Sequence, residues 1–337
     1  MKHFFREYGF PLALFLATVI ALLPECRPGR DNQPDTGLAG TENEAGQAPD
    51  TMWHGRNKQL IPGARDTGNL IWYGEQLIER TSYYLGPRGT VAQITNGLNC
   101  QNCHLGAGTL PYGNNFGKVY STYPQYRARS HKIQTIYDRI NGCLERSMNG
   151  KTLDTNAREM KAIYAYMRWL GEGVPKGKAG SGTGMMKLPY LDRAADPVRG
   201  KAVFVANCQT CHGADGQGQL NGEGTGYTYP PLWGPHSYND GAGMTRLGSF
   251  ASFVKNNMPF GTTYHAPRLT DEQAWDVAAY VDSQPRPHKD QRADWADPEK
   301  KPIDYPFGPY TDSFSEKQHK YGPFKPIKAA HDVKRHL

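Results

Sequence analysis

Apolar residues recur along this chain mostly at helical spacing, and the places where they stop divide it into segments. Phe10 to Leu23 is a nearly continuous apolar run. Gly29 to Asp50 then holds Gly, Asn, Gln, Pro and acidic residues with almost no large apolar side chain, a composition that cannot bury a core and reads as a tether. Apolar spacing over Gly68–Arg80 predicts a helix. In Asn156–Leu170, the residues Met160, Ile163, Tyr164, Met167 and Leu170 fall at i, i+3, i+4, i+7 and i+10, one buried stripe of a second helix. Gly171–Gly184, with six glycines and one proline, reads as a linker. Pro197–Ala206 predicts another helix, and Leu269–Val281 a closing one whose start carries a capping box, Thr270 with Gln273. Beyond Pro285 the chain is polar and Pro-rich but keeps Tyr305, Phe307, Tyr310, Phe314, Tyr321 and Phe324. Aromatics are depleted in disordered segments, so this tail is expected to be an extended strap packed across the body.

Two Cys-x-x-Cys-His motifs sit inside this pattern, Cys100-Gln-Asn-Cys103-His104 and Cys208-Gln-Thr-Cys211-His212. In each, two thiols can add across the vinyl groups of a haem while the adjacent histidine reaches the iron, the c-type attachment pattern. Zinc ribbons place their pairs roughly 15–20 residues apart, whereas 105 residues separate Cys103 from Cys208 here, so zinc is disfavoured. A thioredoxin-type motif would need a βαβ setting, and none is visible. Two covalently bound haem c groups are therefore expected. The order helix, attachment site, loops, distal ligand, closing helix occurs twice. The fold class that follows is mainly α, with two tandem class I cytochrome c-like domains joined by a Gly-rich linker and followed by an extended C-terminal strap.

Composition sharpens the setting. With 337 residues, 38 Gly and 25 Pro, the chain has room for two domains of roughly 100 residues each plus much irregular chain. Lys2, His3 and Arg6 before the apolar run make a basic n-region and a short h-region, so export is expected. Leu22-Leu23-Pro24-Glu25-Cys26 has no small-x-small cleavage site and fits a lipoprotein acylation site badly, which leaves removal and an uncleaved membrane anchor both open. The run is short against the ~20 apolar residues of a spanning helix. The resemblance to c-type cytochromes implies haem attachment on the periplasmic side, so the bacterial periplasm is the expected compartment. Disulfides are permitted there, but only Cys26 and Cys143 remain outside the motifs. The formal charge of +7 falls toward neutral once haem propionates are added, a weak argument for an anionic partner. The scattered Lys and Arg give no support to nucleic-acid binding.

The distal ligands separate an electron wire from an enzyme. Met258, followed by Pro259, lies 46 residues past His212 and just before the closing helix, the expected position of a c-type distal methionine. His236, His265 and Lys255 are its alternatives. In the first domain Met148 lies 44 residues past His104 and Cys143 lies 39 past it. Spacing alone favours Met148 and leaves Cys143 as a small buried thiol.

The residues at this point resemble a known family, the dihaem thiosulfate dehydrogenases. The likeness rests on Arg127-Ala-Arg-Ser130, Asp138-Arg-Ile-Asn-Gly-Cys-Leu-Glu-Arg-Ser-Met-Asn-Gly150, Pro230-Pro-Leu-Trp-Gly234, Met258-Pro-Phe-Gly261 and Gln318-His-Lys-Tyr-Gly-Pro-Phe324, and covers about Asn69 to Ile327. It implies that Cys143, not Met148, is the distal ligand of the first haem. The metal ligands would then be His104 and Cys143 at haem 1, and His212 and Met258 at haem 2. It further implies coupling of two thiosulfate anions to tetrathionate with release of two electrons. A thiolate ligand lowers a haem potential relative to His/Met, making haem 1 the substrate centre and haem 2 the exit. Arg129 and Arg139 resemble the substrate-binding arginines, with Arg146 and Ser147 in second rank. For each arginine, pairing with a propionate or facing solvent is the alternative.

The domain map is 1–24 export signal or anchor, 25–51 tether, 52–171 substrate-haem domain, 172–187 linker, 188–284 electron-exit domain and 285–337 tail. A soluble periplasmic cytochrome c or iron–sulfur protein is the expected electron acceptor. The rivals are a non-catalytic dihaem electron-transfer cytochrome with Met148 at haem 1, a tetrathionate reductase working in reverse, and a Sox-type subunit. The self-contained second haem and aromatic tail argue against the last.

Overall fold

In a computed structural model of the chain, the described residues are 52–335 apart from 64, 65 and 67; the export-signal and tether readings and Cys26 lie outside them. The principal helices of the first domain are α1 (Leu70–Glu79), α2 (Ile136–Arg146) and α3 (Arg158–Gly171). Those of the second are α4 (Pro197–Asn207), α5 (Leu247–Asn257) and α6 (Asp271–Ser283), and the tail adds α7 (Glu316–Tyr321) and α8 (Phe324–Arg335). The strands form two-stranded antiparallel ribbons, β1 (Gln125–Arg127) with β2 (Lys132–Gln134) and β3 (Gln219–Leu220) with β4 (Tyr227–Tyr229). In the first ribbon Tyr126 lies opposite Ile133.

Helix starts follow local chemistry. Asn69 accepts from the Ile71 and Trp72 backbone N–H groups at α1, Asp196 does the same for Val198 and Arg199 with Pro197 in the first turn of α4, and Thr270 and Gln273 close the expected box at α6. Both domains are then built on one device, the crossing of their first and last helices. Helix α1 meets α3 at Gly74, and α4 meets α6 at Gly200. A Cβ at Gly74 would stand 2.0 Å from the Ala162 carbonyl oxygen, and one at Gly200 1.9 Å from that of Asp276. Only a residue without a side chain lets the backbones approach this closely.

Around each crossing sits a separate core. Leu77, Ile78, Met160, Ile163, Tyr166, Met167 and Leu170 fill the first; Phe204, Leu247, Ala251, Trp275, Val277 and Val281 fill the second. Tyr164, expected in the buried stripe, is only half-buried and meets Tyr137 at 5.2 Å between ring centroids, while Tyr166 takes the interior place and donates to the Ala107 carbonyl at 3.0 Å.

The tail corrects one expectation. It packs on the body, with Tyr305, Phe324 and Ile327 buried and the last two inside the second core, but its extended course stops near Ser315. Ser315 accepts from the Gln318 N–H and starts α7, and the Phe324–Ile327 pair at i, i+3 folds α8 onto the core. The Gly-rich stretch is pinned to the first domain. The Asn115 amide donates to Gly182 O at 2.8 Å, and the Ser121 hydroxyl to Lys178 O at 2.7 Å.

Gly74→Ala and Gly200→Ala should each lower unfolding stability by about 1–3 kcal/mol, because the added methyl meets backbone that cannot yield. Lying in separate cores, they should add in the double variant. Denaturant unfolding of the holoprotein measures this, and unchanged midpoints would contradict the crossing as described.

Candidate active site

Helix α2 is the platform of the first site. Thr135 and Asp138 close a capping box at its start, and Ile136, Ile140 and Leu144 bury one side of it. Residues four apart share a helix face, so Arg139, Cys143 and Ser147 line up along one stripe with Arg146 beside them. Ser147 is half-buried at the end of the helix, its backbone N–H on the Cys143 carbonyl.

The first attachment motif faces this stripe. Cys100–Asn102 forms a 3-10 turn; the Asn99 N–H donates to the Asn102 side chain at 2.7 Å and the Cys100 N–H to Thr81 Oγ1 at 2.9 Å. His104 Nδ1 bonds the Asn114 carbonyl, which leaves Nε2 as the ligating nitrogen. The same imidazole acts electrostatically on the Cys143 sulfur, and Cys100 and Cys103 lie within electrostatic reach of it. Four groups expected around one haem thus face one space.

Their protonation differs sharply. Burial pushes Cys100 up to about 11 and Cys103 up to about 12. Burial also opposes ionisation of Cys143, but Arg139, the facing His104 and Arg129 outweigh it and bring the thiol down to about 6. Cys143 is a thiolate at neutral pH, able to ligate a metal or act as a nucleophile. Arg139 is raised in turn, chiefly by the Cys143 charge. Met148 is 4% exposed in the first core, with its carbonyl accepting from the Asn96 N–H at 3.0 Å.

Arg129 stands on the 3-10 turn Ala128–Ser130 that joins β1 to β2. Its Nη1 donates to Gly241 O at 3.4 Å, and Arg146 Nη1 reaches the same oxygen at 3.3 Å. Arg146 Nη2 bonds Asp294 Oδ1 at 2.8 Å, with only 12% and 9% of these side chains exposed. Burial, then the Arg146 charge, lowers Arg129 to about 10, still cationic at neutral pH. Second-domain and tail residues complete this wall. Asn239 N–H donates to Arg146 O at 3.1 Å, its side-chain amide donates to Glu145 O at 2.8 Å and Asn149 Oδ1 at 2.9 Å, and Trp295 N–H donates to Arg129 O at 2.8 Å. Asn239, Gly241, Asp294 and Trp295 belong to none of the motifs above. No local pattern announces them, because they reach the site only through domain and tail docking.

The second motif has its own frame. Cys208 caps α4, and His212 Nδ1 bonds Pro230 O at 2.8 Å. Burial lowers His212, which keeps the imidazole neutral and its other nitrogen free for a metal. Met258 ends α5, its N–H on Val254 O at 2.9 Å, and packs against the second core as Cys208 does. Lys255 is engaged elsewhere, at 2.8 Å from Leu269 O and 2.6 Å from Asp271 Oδ1. Asn257 reaches Phe253 O at 3.1 Å and Tyr112 O at 3.4 Å. All five described cysteines are free thiols. With both histidines held through Nδ1, these donors fit two covalent haem c groups. Cys100, Cys103 and His104 would hold one and Cys208, Cys211 and His212 the other.

Comparison with known proteins agrees with this reading. The cytochrome c family model matches residues 197–285, and the SoxA/TsdA cytochrome c domain model matches 90–175. The chain is 44% identical to a thiosulfate dehydrogenase of Psychrobacter arcticus over 205 residues, covering 60% of this chain and 61% of that one. Over 198 residues it is 44% identical to that of Allochromatium vinosum, covering 58% of this chain and 72% of the relative. A third relative, from Thiomonas intermedia, is 37% identical over 66% of this chain and 68% of its own. Among solved structures, the thiosulfate dehydrogenase (TsdBA) of Marichromatium purpuratum superposes with a TM-score of 0.64 at 34% identity, covering 72% of this chain and half of the longer one. With two cytochrome c domains, both attachment motifs and these relatives, the chain belongs to the thiosulfate dehydrogenase family of dihaem c-type cytochromes.

Proposed function

We propose that this protein couples two thiosulfate anions to tetrathionate in the bacterial periplasm, with Cys143 as the reacting sulfur. The observation that carries this reading is a half-buried cysteine that faces His104 amid arginines, which draw its thiol down to about 6. When bound, the two haems supply two one-electron acceptors, which matches the two electrons the coupling releases. In the proposed sequence the Cys143 thiolate and the sulfane sulfur of one thiosulfate form an S–S bond, giving up two electrons. The sulfane sulfur of a second thiosulfate then attacks the outer sulfur of that adduct. Tetrathionate leaves with the new S–S bond, and the thiolate is returned.

Arg129 and Arg139 hold the sulfonate oxygens in this scheme, since a guanidinium fork matches such oxyanions and dianions do not approach one another without fixed positive charge. Ser147, one turn past Cys143 on the same face, donates a further hydrogen bond in this scheme. The electrons leave through the second domain to a soluble periplasmic acceptor, a cytochrome c or an iron–sulfur protein. The reaction is reversible in principle, and the N-terminal apolar run serves as export signal or membrane anchor.

Three outcomes test this. Cys143→Gly should abolish the thiolate signature of haem 1 in electron paramagnetic resonance while both haems stay attached, whereas Met148→Leu should leave it intact. The reverse pattern would return Met148 to the distal position. Arg129→Ala and Arg139→Ala should each raise KM for thiosulfate about 10- to 100-fold, the size of a lost charge-assisted bond of about 1.5–3 kcal/mol; an unchanged KM removes that arginine. Mass spectrometry of the Cys143 peptide after exposure of the oxidised protein to thiosulfate should find a sulfur-bearing adduct, and its absence would count against the covalent route.

A further inference from the structure

We infer that Asp294, delivered by the C-terminal tail, is a built-in counter-anion that weakens the hold of the arginine cluster on dianions and so speeds product release. This rests on the thiosulfate reading above. The carboxylate reaches the cluster from outside both haem domains. One oxygen bonds Arg146 Nη2 at 2.8 Å, and the other, Oδ2, is buried with no hydrogen-bond partner. Arg129 feels the same carboxylate as well as the charges of Arg146 and Arg139. Arg129, Arg139 and Arg146 thus form a cationic cluster with the Asp294 carboxylate at its edge.

The tail is held in this pose. Trp295 takes a left-handed conformation, φ 61°, that bulky residues seldom adopt. Its N–H donates to Arg129 O at 2.8 Å, and Asp294 N–H donates to Gln291 O at 2.9 Å. Asp240 anchors the approach, accepting from the Lys289 N–H at 2.9 Å and the Gln291 amide at 3.1 Å. A carboxylate used only to orient Arg146 has no need to bury an unpartnered oxygen, which costs free energy. Beside a cationic cluster the same oxygen has an electrostatic role: it competes with incoming oxyanions. Thiosulfate enters as a dianion and tetrathionate leaves as one, so a site of unrelieved positive charge would retain its product.

The test is Asp294→Asn, which keeps the shape and an acceptor for Arg146 while removing the charge. Thiosulfate turnover should show KM about three- to tenfold lower together with a lower kcat, a scale typical of removing one nearby charge. Tetrathionate added to the fully oxidised protein, where no electrons are present to reduce it, should bind about three- to tenfold more tightly by calorimetry. A higher KM and weaker tetrathionate binding would overturn the proposal and reduce Asp294 to a holder of Arg146. Unchanged values would overturn it as well. Parent protein without thiosulfate turnover would instead overturn the functional reading on which the proposal stands.

Discussion

The arrangement depends on keeping one sulfur ionised inside the protein. A buried thiol resists losing its proton, as Cys100 and Cys103 do, and Cys143 differs because Arg139 lies one turn back on its own helix while His104 and Arg129 face it. The attraction is mutual, since Arg139 is raised chiefly by the Cys143 charge. Without these cations, the burial that raises Cys100 and Cys103 would keep Cys143 protonated as well.

This pairing has consequences for the whole molecule. Arg129 and Arg146 take acceptors from outside the first domain, the Gly241 carbonyl and, for Arg146, the Asp294 carboxylate. The loop around Asn239 and the tail around Trp295 are bonded to Arg146 O and Arg129 O by their backbones. Residues of the second domain and tail thus form one wall of the site. The Gly74 and Gly200 crossings give the two domains a common framework, to which the first adds the Arg129, Arg139 and Arg146 cluster beside Cys143.

Much of this was legible before any coordinates. The attachment motifs, the Met160–Leu170 stripe and the Thr270 box rest on local rules, and the structure forms them within a residue or two. Spacing alone favours Met148 as the partner of His104. In the structure Cys143 lies on the Arg139 face of α2, while Met148 falls beyond its end and is buried in the first core, and this helical phase supports the proposed role of Cys143. The tail reads as wholly extended in sequence because it is polar and Pro-rich and the contacts that fold α8, Phe324 and Ile327 in the second core, lie in another domain. Asp294 and Trp295 were invisible for the same reason, since long-range docking leaves no period in the sequence.

The most direct test of the central claim is thiosulfate-dependent reduction of ferricyanide by the purified holoprotein and its Cys143→Gly variant, with tetrathionate quantified. Turnover in the parent, with one tetrathionate formed for every two electrons passed, and its collapse in a variant that keeps both haems, is the predicted result. Equal turnover in both proteins would contradict a reacting sulfur at Cys143, and none in either would leave a two-haem electron carrier.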